Sequence, residues 1–377
     1  MRESLSSGTW RIATVMGIPI RLHFSWLIVF GLITWSLSTY YFPMAAPDLP
    51  ASAYWVKGIL AALLLFGSVA FHELAHSFVA QQYKVHIDSI TLFIFGGVAQ
   101  MAGEPPHPKA EFRIAVAGPL SSFFLAVVFF ILGGFTSGSA ASLFSYVARI
   151  NLLIALFNLI PGFPMDGGRV VRSALWAKTR NLYYATRQAS RIGRGIALFM
   201  IVLGVLSLFT GAPGGIWMIL IGWFLHSAAQ ASYSQSTIQA SLSGVKVRDV
   251  MVKEIVSLDA RMSIEEAVDG YFLRYGFGGF PVMDQGRFVG MFTLRETTAV
   301  PREEWASTTV SQAYVPHDGR WEVSPDEDAL KALELMVRED KGRIAVTENG
   351  RLVGLITRNG IARYMQIKGT DHGLETA

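Results

Sequence analysis

Within the segment FHELAH, His72 and His76 stand four residues apart with Glu73 directly after the first. On a helix that spacing aims both imidazoles from one face toward a common point. Two such imidazoles suit a tetrahedral zinc, and Glu73 is placed to hold the water that completes the site. A lone histidine in an apolar helix is ordinarily a packed, hydrogen-bonded residue. Three ionisable groups so close together in a membrane helix are different, because even one central Asp costs at least about 2.5–3.5 kcal/mol there. The chain has no cysteine, so thiolate sites and disulfides are excluded and further ligands must be His, Asp or Glu. The best candidate is Asp166 in NLIPGFPMDGGR. Pro161, Pro164, Gly167 and Gly168 around it break a helix and let the carboxylate turn into a cavity. An ordinary helix cap is the bland alternative for the same Asp.

The elements that must position these residues are written in the hydropathy. Of 377 residues 51% are hydrophobic and 16% charged, against about 25% charged in a soluble domain. Charge is sparse up to about Ala231 and ordinary from Lys246 onward, which implies a membrane domain followed by a soluble one. Six apolar runs approach the length of a span: Leu22–Tyr41, Val56–Ala80, Phe112–Phe135, Leu143–Ile160, Gly193–Phe209 and the short Ile216–Ala229. The segment before the first, MRESLSSGTWRIATVMGIPIRLH, lacks a signal-peptide core and cleavage site and is expected to be retained. Between the second and third runs, VHIDSITLFIFGGVAQMAG alternates and breaks at Gly96-Gly97, which predicts a β-hairpin. Arg2, Arg11 and Arg21, then Lys84, Lys109 and Arg113, then the arginines and lysine from Arg169 to Arg194 occupy alternate connections. The other connections carry no Lys or Arg. The positive-inside rule then puts both termini in the cytoplasm. The net charge of +4 reports that orientation rather than a nucleic-acid partner, and none is expected.

Past Ser243 the sequence repeats. GRFVGMFT (Gly286–Thr293) returns as GRLVGLIT (Gly350–Thr357), each preceded by a short strand and a helix-like stretch. With the opening VRDVM (Val247–Met251), this order resembles tandem CBS modules. The expected divisions are a membrane domain over 1–231, a linker over 232–243, and two CBS repeats over 244–300 and 301–377. The resemblance implies an adenine nucleotide, ATP or AMP, with Thr293, Glu296 and Thr357 as cofactor-binding positions. Gly360 stands where a ribose-binding Asp would be expected, so one site is degraded. A purely structural or dimerising module, pairing two chains as a homodimer, is the equal alternative.

The HExxH helix together with NxxPxxPxDG, here Asn158, Pro161, Pro164, Asp166 and Gly167, resembles the site-2 protease family of intramembrane zinc proteases. The layout with a C-terminal CBS pair resembles its prokaryotic branch. The fold class expected is a polytopic α-helical membrane domain of about six spans with a β-hairpin, plus an α/β tandem CBS pair. The resemblance implies that His72, His76 and Asp166 bind Zn2+ and that Glu73 is the general base. It implies that Asn158 holds the substrate backbone or the tetrahedral intermediate. AGPLSS (Ala117–Ser122) is similar to the family's AGPxxN stretch, with Ser122 where Asn is usual and its role therefore open. The implied substrate is a transmembrane segment of another protein within the lipid bilayer of the cell membrane. The N-terminus, active-site opening and CBS pair are then cytoplasmic. A helical substrate must unwind before cleavage, and the edge of the Ile87–Met101 hairpin could receive it as an added strand; a packed hairpin without substrate contact is the alternative. The rival function is a CBS-regulated transporter or channel, which has no need of Glu directly after His. A non-catalytic zinc sensor is the second rival, and a soluble zinc peptidase fails on hydrophobicity.

Overall fold

The apolar runs form helices, but their ends differ from the hydropathy boundaries. The computed structural model describes residues 8–47, 49–94, 96–101, 103–211, 214–319 and 321–374, so Arg2 lies outside the described residues. Five described helices are long and apolar enough to cross a membrane: α1 (Ser25–Ala45), α2 (Ala51–Gln82), α3 (Pro108–Gly134), α4 (Ser139–Asn158) and α6 (Leu182–Phe209). Their outward residues are apolar, among them Leu32, Leu63, Phe124, Phe130 and Phe199, as lipid-facing surfaces require. The sixth expected run, Ile216–Ala229, lies in α7 (Gly215–Leu242) but is outside those five. Its apolar stretch gives way to His226, Ser227 and Gln230 after about three turns. A further helix, α5 (Asp166–Thr179), fills the connection after α4.

The hairpin expected over Ile87–Met101 is present as β3 (Ile87–Phe93) and β4 (Gly96–Met101), but Gly96-Gly97 do not break it: they pair with Phe93 and Leu92 as the first residues of β4. It belongs to a larger sheet. An N-terminal hairpin, β1 (Thr9–Val15) and β2 (Ile18–His23), joins it in the order β1-β2-β3-β4. β2 runs parallel to β3, with Ile20 opposite Ile90 and Leu22 opposite Leu92. Leu22 is therefore strand rather than the start of a span. Ile18, Ile87 and Ile90 pack with Ala80 and Ile114 beneath the sheet, which ties the hairpin to the ends of α2 and α3. β4 forms one edge.

The described residues divide into two compact units at Ser236/Thr237. The second unit holds two sheets, β5 (Leu258–Asp259), β6 (Gly279–Asp284), β7 (Arg287–Thr293) and β8 (Val315–Pro316), then β9 (Glu322–Val323), β10 (Arg343–Glu348) and β11 (Arg351–Thr357). Each repeat lends its opening segment to the other. On either side of α8 (Val247–Val250), Lys246 bridges to Asp328 and Val252 to Leu355, while Ser263 bridges Thr309 and β8 pairs with β7. Two buried cores result, one around Val247, Met336 and Ile356 and one around Leu258, Phe280 and Phe292.

Candidate metal centre

The helical spacing of His72 and His76 on α2 sets their rings 4.8 Å apart, nearly perpendicular and buried. Asp166 is the first residue of α5, where a negative charge is favoured by the helix dipole. The chain can reach that point because α5 packs backbone against backbone. A Cβ on Gly167 would collide with the Leu159 and Ile160 carbonyls, and one on Gly168 with the Gly162 carbonyl. The prolines and glycines that break α4 thus lead straight into a new helix whose leading carboxylate meets the imidazoles. His72 Nε2 and His76 Nε2 lie 3.2 and 3.1 Å from Asp166 Oδ2, and 3.1 Å from each other.

This donor set fits a zinc ion. Three N/O donors in a nearly equilateral triangle are what a shared ion with bonds of about 2.0–2.2 Å gathers. The tautomers argue the same way. His76 Nδ1 lies 2.6 Å from the Ile114 carbonyl oxygen, an acceptor only, so Nδ1 carries the proton. In the neutral form that binds metal, the ring turns a bare Nε2 lone pair on Asp166 Oδ2, which is also an acceptor. Two lone pairs facing at 3.1 Å repel, and a shared cation converts that repulsion into attraction. His72 Nδ1 lies 2.9 Å from Ser122 Oγ, so both imidazoles have the outer hydrogen bond that metal-bound histidines use to fix orientation. The room for an ion comes from α3: a Cβ on Gly118 would fall 2.5 Å from His72 Nε2 and closer still to His76 Nε2.

Glu73 and Asn158 come together with this cluster. A cavity of about 410 Å³ is lined by His72, Glu73 and Asn158, by Val69, Leu153, Ile154 and Phe157, and by Gly96 and Gly97 of the hairpin. Gly97 has to lack a side chain, since a Cβ would meet Glu73 Cγ at 2.7 Å and Val69 Cγ1 at 3.2 Å. The edge strand β4 therefore runs along the wall of the pocket that holds the carboxylate.

The three positions singled out in the second unit serve as helix caps. Thr293 caps α9 (Leu294–Ala299), where its amide donates to Glu296 Oε2 at 2.9 Å and its hydroxyl to the same carboxylate. Thr357 precedes α10 (Arg358–Leu374), and its hydroxyl accepts from the Gly360 amide at 2.9 Å.

The sequence matches the model of peptidase family M50 over residues 60–140 and 135–203, and that of the CBS domain over 247–298 and 322–367. It is 35% identical over 375 residues to the Mycobacterium tuberculosis protein titled "Putative zinc metalloprotease Rip3", covering 97% of this chain and 94% of that protein. It is 33% identical over 359 residues to the zinc metalloprotease MJ0392 of Methanocaldococcus jannaschii, covering 95% and 96%. The solved structure of a site-2 protease from Methanocaldococcus jannaschii is 33% identical, with a TM-score of 0.43, over 60% of this chain and 95% of that one.

Proposed function

The chain belongs to peptidase family M50 and is a site-2 protease-like zinc metalloendopeptidase with a CBS pair, and on that premise we propose that it hydrolyses peptide bonds within or near the transmembrane segments of other membrane proteins. The observation that carries the reading is a cavity that His72, a corner of the buried His72–His76–Asp166 triangle, lines together with Glu73, Asn158 and the glycine edge of a β-hairpin.

His72, His76 and Asp166 would hold a zinc ion, which would supply Lewis acidity and make water easier to deprotonate near neutral pH. The Glu73 carboxylate takes a proton from the attacking water and returns it to the leaving amide nitrogen. The Asn158 side-chain amide donates to the scissile carbonyl oxygen as charge develops there. An unwound substrate segment leaves backbone groups unpaired, each costing several kcal/mol in hydrocarbon. The β4 edge supplies partners for them by strand addition, and Gly96-Gly97 brings that strand close to Glu73.

With the short apolar stretch of α7 taken as a sixth crossing, the Lys and Arg in alternate connections support a cytoplasmic N-terminus, site opening and CBS pair in the cell membrane. We assign 1–231 to the protease domain, 232–243 to the connection and the remainder to the CBS pair. That pair binds ATP or AMP near Thr293, Glu296 and Thr357 and associates as a homodimer. The test is cleavage of a single-span substrate in proteoliposomes. Glu73→Gln is expected to keep zinc and lose at least about 10²-fold in rate, the lower end for general acid–base catalysis. Wild-type rates from that variant would overturn the assignment.

A further inference from the structure

We propose that Arg172 is a positioning residue for the Asp166 donor, fixing it against the imidazoles through the salt bridge it makes to α3. The proposal rests on the zinc reading above and concerns a residue with no place in the motifs.

A metal donor must be held to within about 0.2 Å of its bond length. Both imidazoles have a direct outer partner. Among the described residues, the hydrogen bonds of the Asp166 side chain run only to the two imidazoles. What fixes the carboxylate must therefore act through its helix. Arg172 lies six residues along α5 and is 6% exposed. Its guanidinium pairs with Glu111, which is fully buried on α3, and with Glu104 at 3.1 Å, and it lies 5.1 Å over the ring of Phe163. One side chain thus joins the loop before Asp166, the segment after β4, and α3.

The position of Glu111 adds to the case. Glu111, Ile114, Gly118 and Ser122 are spaced by three, four and four residues, so they form one stripe of α3. Ile114 orients His76, Ser122 orients His72, and Gly118 leaves room between the rings. Glu111 extends the same stripe to the third donor by gripping α5. Each donor is thereby referred to a single rigid helix.

Removing Arg172 outright strands the Glu111 charge, whose Oε2 has no hydrogen-bond partner among the described residues, and such a variant could simply misfold. Arg172→Lys keeps the charge but loses the planar fork that spans two carboxylates and stacks on a ring. The experiment measures zinc affinity of the full chain in detergent by chelator competition, with folding followed by circular dichroism. Arg172→Lys is expected to weaken zinc about 10–100-fold, the range for groups that orient metal ligands. In an Asp166→Ala background, where the donor it positions is gone, the same change is expected to cost less than about threefold, because coupled residues are non-additive. The paired Glu111→Leu/Arg172→Leu variant removes both charges, a swap buried pairs tolerate, and is expected to fold yet show the same loss. Wild-type affinity in the folded paired variant, or equal losses in both backgrounds, would overturn the proposal. Failure of the wild type to bind zinc would sink the metal reading itself.

Discussion

Gly118→Ala adds one methyl group where the structure leaves room for an ion. The new Cβ would stand 2.5 Å from His72 Nε2 and from His76 Cε1, and closer to His76 Nε2. Real Cβ atoms essentially never approach a heavy atom within 3.0 Å, so each ring must retreat by at least about 0.5 Å. Zinc ligands are constrained to about 0.2 Å. Both imidazoles are thus pushed beyond tolerance by one substitution, and zinc affinity is expected to fall at least 100-fold, about 2.7 kcal/mol. The fold should survive, since inserting a methylene into a packed interior typically costs about 1–3 kcal/mol. Gly134→Ala, on the same helix with nothing within 4 Å of its Cβ, is the control. The assay is metal content after purification and chelator competition in detergent, beside thermal melting of the metal-free forms. A Gly118→Ala protein that holds one zinc at wild-type affinity would refute the placement of the ion between these rings.

Ser122→Ala removes only the outer hydrogen bond of His72, so a milder zinc loss of about 10-fold is expected, measured by the same competition; no change would mean that Ser122 does not orient the ring. In the second unit, the Lys246 ammonium holds Asp328 below its ordinary pKa through a 2.7 Å hydrogen bond. A carboxylate with a lowered folded-state pKa stabilises above its unfolded value of about 3.9 and loses that contribution as pH falls through the folded one. The melting difference between wild type and Lys246→Met should therefore be small in high salt at neutral pH, because the pair is half-exposed, and vanish in acid; a difference that grows below pH about 3.9 contradicts the sign. Millimolar ATP or AMP is expected to raise the melting temperature of the full chain in a concentration-dependent way. Absence of any shift would leave the CBS pair a structural role.

How much of this was legible depended on whether a residue's partner lay nearby in sequence. His72 and His76 could be read because one helical turn brings them together, and the β3–β4 hairpin because its strands are neighbours in sequence, although Gly96-Gly97, read as its break, pair with Phe93 and Leu92 inside it. The CBS repeat declares itself by recurrence. By contrast, β2 pairs with β3 across some 60 residues and two helices, and nothing in WRIATVMGIPIRLH names that partner. The exchange of opening segments between the repeats is hidden for the same reason. Pro161 to Gly168 reads as helix-breaking, yet Gly167 and Gly168 are there for close approach and the chain turns helical at once. Arg172 stood among a run of cations that reported topology, and a count of charges cannot separate a solvated arginine from one buried against Glu111. The deepest gap is α3. Its stripe organises the three donors with a carbonyl, an absent side chain, a serine and a salt-bridged Glu. Of these, only the Ser and the Glu have a chemical signature, and each is common in bland settings. A metal centre inside a membrane is thus announced by its ligands, whereas the helix that makes their geometry compulsory can be found only from the distances between them.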